Sequence, residues 1–240
     1  KTIKEKKGIP GFHSDGLVDN LQELIMHNGL TYIDVQNKKI GFAGKKMEEI
    51  FEWYADNCKK GYFSFNTIGR YSSEDLANGD IASFSGSCVN DQYIQMVEGK
   101  GTLGMAKWIA GDFYTAWNRG PIFLHRNEAV NKGAYEFVKF FLNEENAAKW
   151  AIANSALCPY GTSANVPEYV EYLNNLPATS ALPYVQANLS KSGSFPNVTG
   201  SAAVRRALEE YLNYVVDGKM SAKDAVAAME KACNDALAGK

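Results

Sequence analysis

Between residues 79 and 93 the chain passes from a Gly79-Asp80 turn into the apolar run Ile81–Phe84, then into Ser85-Gly86-Ser87 at the head of a new helical pattern. A short polar helix precedes the turn. An apolar run of this length, bounded by a glycine turn and a helix start, predicts a buried strand feeding a helix, which belongs in an α/β fold. At the carboxyl end of such a strand, unpaired backbone N–H groups of the following helix face outward and can hold a polar ligand. The segment therefore points to a chain that holds a small polar molecule.

The rest of the chain supplies the layers that such a strand needs. Lys1–Lys7 reads as the tail of a helix whose beginning is absent, because it reaches Gly8 after two turns with no cap before it. Gly8–His13 predicts a short strand, and Leu17, Leu21, Leu24 and Ile25 recur at helical spacing up to Asn28-Gly29. Tyr32–Phe42 predicts a hairpin about Gln36-Asn37, followed by a helix faced by Met47, Ile50, Phe51, Tyr54 and Cys58 and ending at Gly61. Beyond a loop and the unit already described, Leu103–Ile109 and Pro121–Leu124 predict two further strands. Ala134, Phe137, Val138, Phe141 and Leu142 then mark an amphipathic helix, and Glu144–Asn154 a second. Ala203, Val204, Ala207, Leu208, Tyr211 and Leu212 define a long helix, and Ser221 caps a final one carrying Ala225, Met229 and Leu237. The sum is an α/β chain, helix-rich toward its C-terminus.

With 240 residues, 45% of them hydrophobic and 22% charged, the chain can bury a sizeable core as one large domain or two small ones. Its net charge of −2 gives no general attraction to nucleic acid or anionic lipid. No apolar run reaches the ~18 residues of a membrane span, and KTIKEKKG lacks the apolar core of a signal peptide. Cys58, Cys88, Cys158 and Cys233 are far apart, and His13, His27 and His125 form no metal-binding spacing. Neither a metal nor another cofactor is expected.

The order of several segments resembles a known family. GIPGF (8–12), the helix ending in HNG (27–29), KGY (60–62), LANGDIASFSGS (76–87), EAVNKGAYEFVKFFLNEENAAKWAIANSALCPYGTSA (128–164) and DGKMSAKDAVAAMEKA (217–232) are together similar to extracellular solute-binding proteins of the sugar-binding class, family 1. These are the ligand-capturing components of bacterial ABC importers, with maltodextrin and glycerol-phosphate binders among them. The resemblance implies a type II periplasmic-binding-protein-like fold of two α/β lobes, with ligand held between them. It implies mainly the C-terminal lobe here: residues 1–116 and 165–240 as lobe two and 118–163 as a remnant of lobe one, whose opening portion is absent. On that expectation the chain is truncated or processed, and its bare lobe-one remnant is open to self-association. The implied partners are a small polar solute, most simply a saccharide, and membrane permease subunits. The implied location is extracytoplasmic, periplasmic or lipid-anchored at the cell surface.

The resemblance also selects candidate ligand-binding residues. Ser85, Gly86 and Ser87 lie where relatives contact ligand, and a plain helix cap explains them as well. Asn90 and Asp91, one turn on, read as solvated. His13, Ser14, Asp15, Asp19 and Asn20 lie where relatives place a cleft residue; a carboxylate suits paired sugar hydroxyls, while Asp15 or Asp19 can equally cap the next helix. Trp117, Asn118 and Arg119 fall in the segment crossing between lobes, where an aromatic face can stack on a sugar ring and a guanidinium can grip oxygen pairs. Tyr160 matches a cleft-facing loop of lobe one. Asn197, Thr199 and Ser201 precede the helix bearing Arg205, where relatives contact ligand or where Ser201 caps; Lys191 and Arg205 keep an anionic sugar open.

Two other classes compete. Ser83-Phe84-Ser85-Gly86-Ser87 has the outline of a hydrolase nucleophile elbow, but both glycines of the GxSxG pattern are serine, and Cys88 offers a thiol version without a family signature. The expectation is that the chain is not an enzyme. A protein-interaction scaffold is the third reading.

Overall fold

The computed structural model describes residues 1–66, 71–107, 114–115, 125–158 and 161–239. Its centre is a parallel sheet in the order β4-β1-β5, formed by Phe12–Ser14 (β1), Phe63–Phe65 (β4) and Phe84–Ser85 (β5). From β1 the chain runs through α2 (Leu17–His27), the hairpin β2–β3 (Thr31–Asp34, Lys39–Gly41) and α3 (Lys45–Lys59) to β4 on one side. It then crosses back through α4 (Ser72–Asn78) to β5 on the other side of β1. A short helix, α1 (Thr2–Lys7), precedes β1 and stops at Gly8, whose left-handed backbone (φ 77°) closes it.

The predicted strand Ile81–Phe84 is shorter than expected and displaced. Only Phe84–Ser85 is strand, with Ile81 buried as an anchor and Ala82 and Ser83 exposed. The segment still tracks β1: Ala82 N donates to Pro10 O at 3.1 Å, and Ser83 O accepts from His13 N at 2.9 Å. Beside it, β4 was not expected at all, since three residues are too few for a periodicity to show. Leu103–Lys107 forms no strand. The remainder of that predicted strand, and all of Pro121–Leu124, lie outside the described residues.

The main core lies between α2, α3, the hairpin and two long C-terminal helices, α9 (Ser201–Val216) and α10 (Ala222–Leu237). Leu21 and Ile25 of α2, Met47 and Phe51 of α3, and Val204, Leu208 and Leu212 of α9 are all fully or almost fully buried there. Their i, i+4 and i, i+8 spacings put each set on one helical face. Tyr32 and Phe42 stack at 5.6 Å within the hairpin, and Asn234 of α10 accepts the Ile40 N–H at 2.9 Å, which ties the hairpin edge down. Ser221 caps α10 as predicted, accepting from Asp224 N.

The start of α9 differs from expectation. Gly200, not Ser201, is the N-cap residue, and no side chain caps the helix. Gly200 has φ 86°, and a Cβ there would lie 2.5 Å from Ala236 O, so close approach to α10 decides the residue at this position.

A second, smaller cluster forms around α6 (Glu144–Ala153) and α7 (Pro167–Asn175), from Ala148, Ala151, Cys158 and Tyr169. It draws on both sides of the expected 163–165 boundary. The Tyr169 hydroxyl lies 3.0 Å from both Ala156 O and Gln186 Oε1, the latter on α8 (Leu182–Ala187). α5 (Glu128–Phe141) precedes α6 and contributes no buried residue. A two-residue parallel pairing, Tyr114–Thr115 (β6) with Ser192–Gly193 (β7), links residues distant in sequence.

Candidate functional site

All three strands of the sheet end at one edge, and the residue after each lies there: Asp15 after β1, Asn66 after β4 and Gly86 after β5. β1 is central, and the chain leaves it first for one neighbour and later for the other. In open α/β sheets this is the place where connections diverge and a crevice opens beyond the carboxyl ends.

A polar network occupies the edge. Asp15 Oδ1 accepts from Asn66 Nδ2 at 2.7 Å and from Ser72 Oγ at 2.6 Å, while Asp15 Oδ2 accepts from Asn90 Nδ2 at 3.1 Å. One carboxylate thus braces the segments after β1, β4 and β5, together with α4. The amide oxygen of Asn66 faces His13 Nε2 at 3.0 Å, and His13 Nδ1 lies 2.8 Å from Ser64 Oγ. This fits a hydrogen on Nε2 and a hydroxyl donated by Ser64 to Nδ1. Ser85 Oγ donates to Asn20 Oδ1 at 2.8 Å, and Asn20 Nδ2 in turn donates to Ser14 Oγ.

Next to this network lies a depression of about 200 Å³ lined by Asp15, Gly16, Asp19, Asn66, Arg205 and Glu209, among others. Asp19 and Arg205 meet across it at 2.9 Å, and the same guanidinium donates to Gln22 Oε1. The carboxylates of Asp15, Asp19 and Glu209 outnumber the one guanidinium in this lining, so the electrostatics suit neutral hydroxyls better than an anion.

The expected site residues therefore fall into five sets. Asp15 and Ser85 sit in the network, with Asp19 and Arg205 at the rim of the depression. Neither aspartate caps α2: its N-cap residue is Gly16, with no side-chain cap bond, because both carboxylates are drawn to donors elsewhere. Gly86 and Ser87 are exposed at the edge; Ser87 accepts from Val89 N and caps a 3-10 turn, Cys88–Tyr93, in place of the expected α-helix. Asn197 and Thr199 are exposed and Ser201 half-buried ahead of α9, on a segment whose Phe195 packs edge-on against Tyr32. Trp117, Asn118, Arg119 and Tyr160 lie outside the described residues.

Asn90 and Asp91 are not merely solvated. Asn90 donates to Asp15, and Asp91 Oδ2 accepts from Ser180 Oγ at 2.9 Å and from Ala181 N at 2.6 Å at the head of α8. Their partners are 75 and 89 to 90 residues away in sequence, beyond the reach of local pattern. Asn66 and Ser72 were also missed. The one available signal was a short Phe-Ser-Phe alternation running into a polar residue.

The arrangement does not build a nucleophile. Ser85 hydrogen-bonds an amide oxygen, which cannot take its proton. Burial, with a smaller push from Asp91, raises the Cys88 thiol to about 11, opposite to the activation a catalytic thiolate needs. Among the described residues no three His, Cys, Asp or Glu side chains gather as metal ligands, and no helix is long and apolar enough to cross a membrane.

No family model matches the chain, and no curated protein matches it. Solved structures do match. Over all of this chain and 62% of its own, the cyclic α-maltosyl-1,6-maltose binding protein of Arthrobacter globiformis superposes with a TM-score of 0.71 at 19% identity. The GacH receptor of Streptomyces glaucescens, solved unliganded and with acarbose, matches 98% of this chain with 61% of its own (TM-score 0.74, 14% identity). UgpB of Mycobacterium tuberculosis, solved with glycerophosphocholine, matches 97% with 59% (TM-score 0.70, 13% identity). The chain has the type II periplasmic-binding-protein fold and spans about three fifths of the length of these neighbours. The first two are a binding protein and a receptor.

Proposed function

We propose that this chain, with the fold of periplasmic binding proteins, is the solute-binding part of an ABC importer and captures a sugar or sugar-like polar solute for delivery to membrane permease subunits. The observation that carries this reading is the convergence of Asp15, Asn66, Ser85 and Gly86 on the carboxyl edge of the sheet, beside the depression rimmed by Asp19 and Arg205. Hydroxyl, amide and carboxylate groups fixed in place by one another recognise a polyol at little ordering cost. The fold's neighbours that bind maltosyl-maltose and acarbose support the same chemistry.

In this reading residues 1–116 and 165–240 form lobe two and 118–163 belong to lobe one. Trp117, Asn118, Arg119 and Tyr160 are assigned to the ligand as well, and Ser87, Asn197 and Ser201 to the lobe-two wall. The protein works outside the cytoplasm, in the periplasm or lipid-anchored at the surface. Self-association through residues 118–163 belongs to the same proposal.

Calorimetry with maltose, maltotriose, acarbose and glycerophosphocholine tests it. Saturable, weak binding of at least one saccharide, lost in Asn66→Ala and in Ser85→Ala variants that keep their fold, is the expected result. No binding of any panel member would overturn the sugar reading. Stoichiometric labelling of Ser85 or Cys88 by a serine- or cysteine-directed covalent probe would replace it with a hydrolase.

A further inference from the structure

His13 stands in the middle of β1, only 4% exposed, and does not line the depression. It is tied to the lining all the same. Its two ring nitrogens lie 2.8 Å from Ser64 Oγ and 3.0 Å from Asn66 Oδ1, and the other end of the Asn66 amide donates to Asp15 Oδ1 at 2.7 Å. Asn66 and Asp15 both line the depression.

The last member of this chain sets the direction of every bond in it. The Asp15 carboxylate can only accept, so Asn66 turns Nδ2 toward it and Oδ1 toward His13. An amide oxygen also only accepts, so His13 carries a hydrogen on Nε2, and Nδ1 of the neutral ring takes the hydroxyl hydrogen of Ser64. Hydrogen bonds thus run in one sense from Ser64 through His13 and Asn66 to Asp15, and bonds aligned in this way polarise and strengthen one another.

The chain leaves one acceptor with room. Asn66 Oδ1 is held by His13, with Ser72 Oγ at 3.3 Å, and Nδ2 is committed to Asp15. Asp15 Oδ1 takes Asn66 and Ser72, whereas Oδ2 accepts from Asn90 alone among the described residues. A carboxylate oxygen can accept a further donor.

We propose that His13 is a positioning residue of the binding site: without touching ligand it fixes the Asn66 amide, and through that amide aims Asp15 so that Oδ2 accepts a hydroxyl of the bound solute. The inference rests on the solute-binding reading above and adds that the ligand donates a hydrogen at Asp15. The rival is that His13 only fills buried space. Two uncharged substitutions separate the two. Glutamine carries an N–H at the ε position, where the His13 donor stands, and keeps the bond to Asn66. Asparagine reaches only the δ position; it can meet Ser64 but gives Asn66 no donor.

Calorimetry of the 240-residue chain with maltose, maltotriose and acarbose tests this, with circular dichroism verifying each variant's fold. For any of these saccharides that binds, the expected dissociation constant rises about tenfold in His13→Asn and stays within about twofold in His13→Gln. Nitrogen-15 NMR of the imidazole in the unsubstituted, ligand-free chain should show a hydrogen on Nε2, a readout that needs neither variant. Equal losses in the two variants, unchanged affinity in His13→Asn, or a ring with no hydrogen on Nε2 overturns the proposal and leaves the solute-binding reading standing. Binding of none of the three saccharides overturns both.

Discussion

α2 and α5 are both amphipathic helices with an apolar stripe legible in sequence, yet α2 buries Leu17, Val18, Leu21 and Ile25 while α5 buries nothing. The difference lies in what surrounds them. α2 packs against α9 and the hairpin within a core closed by α3 and α10, whereas among the described elements α5 rests mainly on α6. Apolar periodicity fixes which face of a helix seeks cover, and tertiary partners decide whether cover is found. The large body is therefore expected to hold the folding stability, and the small one to be locally openable.

The widest gap should appear between two phenylalanines. Phe51→Ala in the main core is expected to cost about 3 to 5 kcal/mol, and Phe140→Ala on α5 less than about 0.5 kcal/mol, by urea denaturation at concentrations where the chain is monomeric. Similar losses would break the comparison.

Next in size is the polar brace at the sheet edge. Asp15→Ala leaves Asn66, Ser72 and Asn90 without their shared acceptor and should cost about 2 to 3 kcal/mol. Faster hydrogen exchange should follow in α4 and in the 88–93 turn. An unchanged stability would mean that the carboxylate serves ligand alone and braces nothing.

The same substitution should then give opposite signs in the two bodies. Gly200→Ala forces a side chain into a left-handed position against Ala236 O and is expected to destabilise by about 1 to 2 kcal/mol or more. Gly133→Ala meets no neighbour and should stabilise α5 by about 1 kcal/mol. Thermal melts of both variants check the pair, and a destabilising Gly133→Ala would show that α5 is constrained from within the chain.

The smallest effect concerns the rim of the depression. Arg205 and Asp19 are 32% and 26% exposed, so solvent screens their attraction, and Arg205→Ala should cost about 1 kcal/mol or less, shrinking with salt. A loss of several kcal/mol would make the pair a brace between α2 and α9 rather than a rim contact.

From residue spacing alone the helices were legible, because a side chain's place on a helix depends only on neighbours within a few positions. Leu17–Ile25, Met47–Cys58, Val204–Leu212 and Ser221 onward all lie where the pattern puts them, and so does the hairpin. The short parallel strands were not, since β4 and β5 have three and two residues and exist through hydrogen bonds to β1. The site divided in the same way. That the chain turns at Ser85-Gly86-Ser87 and carries carboxylates at 15 and 19 was written in the sequence. That Asp15 is shared by Asn66, Ser72 and Asn90, that Asp19 is matched by Arg205, and that Asp91 holds the head of α8 was decided only in three dimensions. Each of those bonds joins residues 51 to 186 positions apart, and no local rule of propensity or spacing acts over such distances.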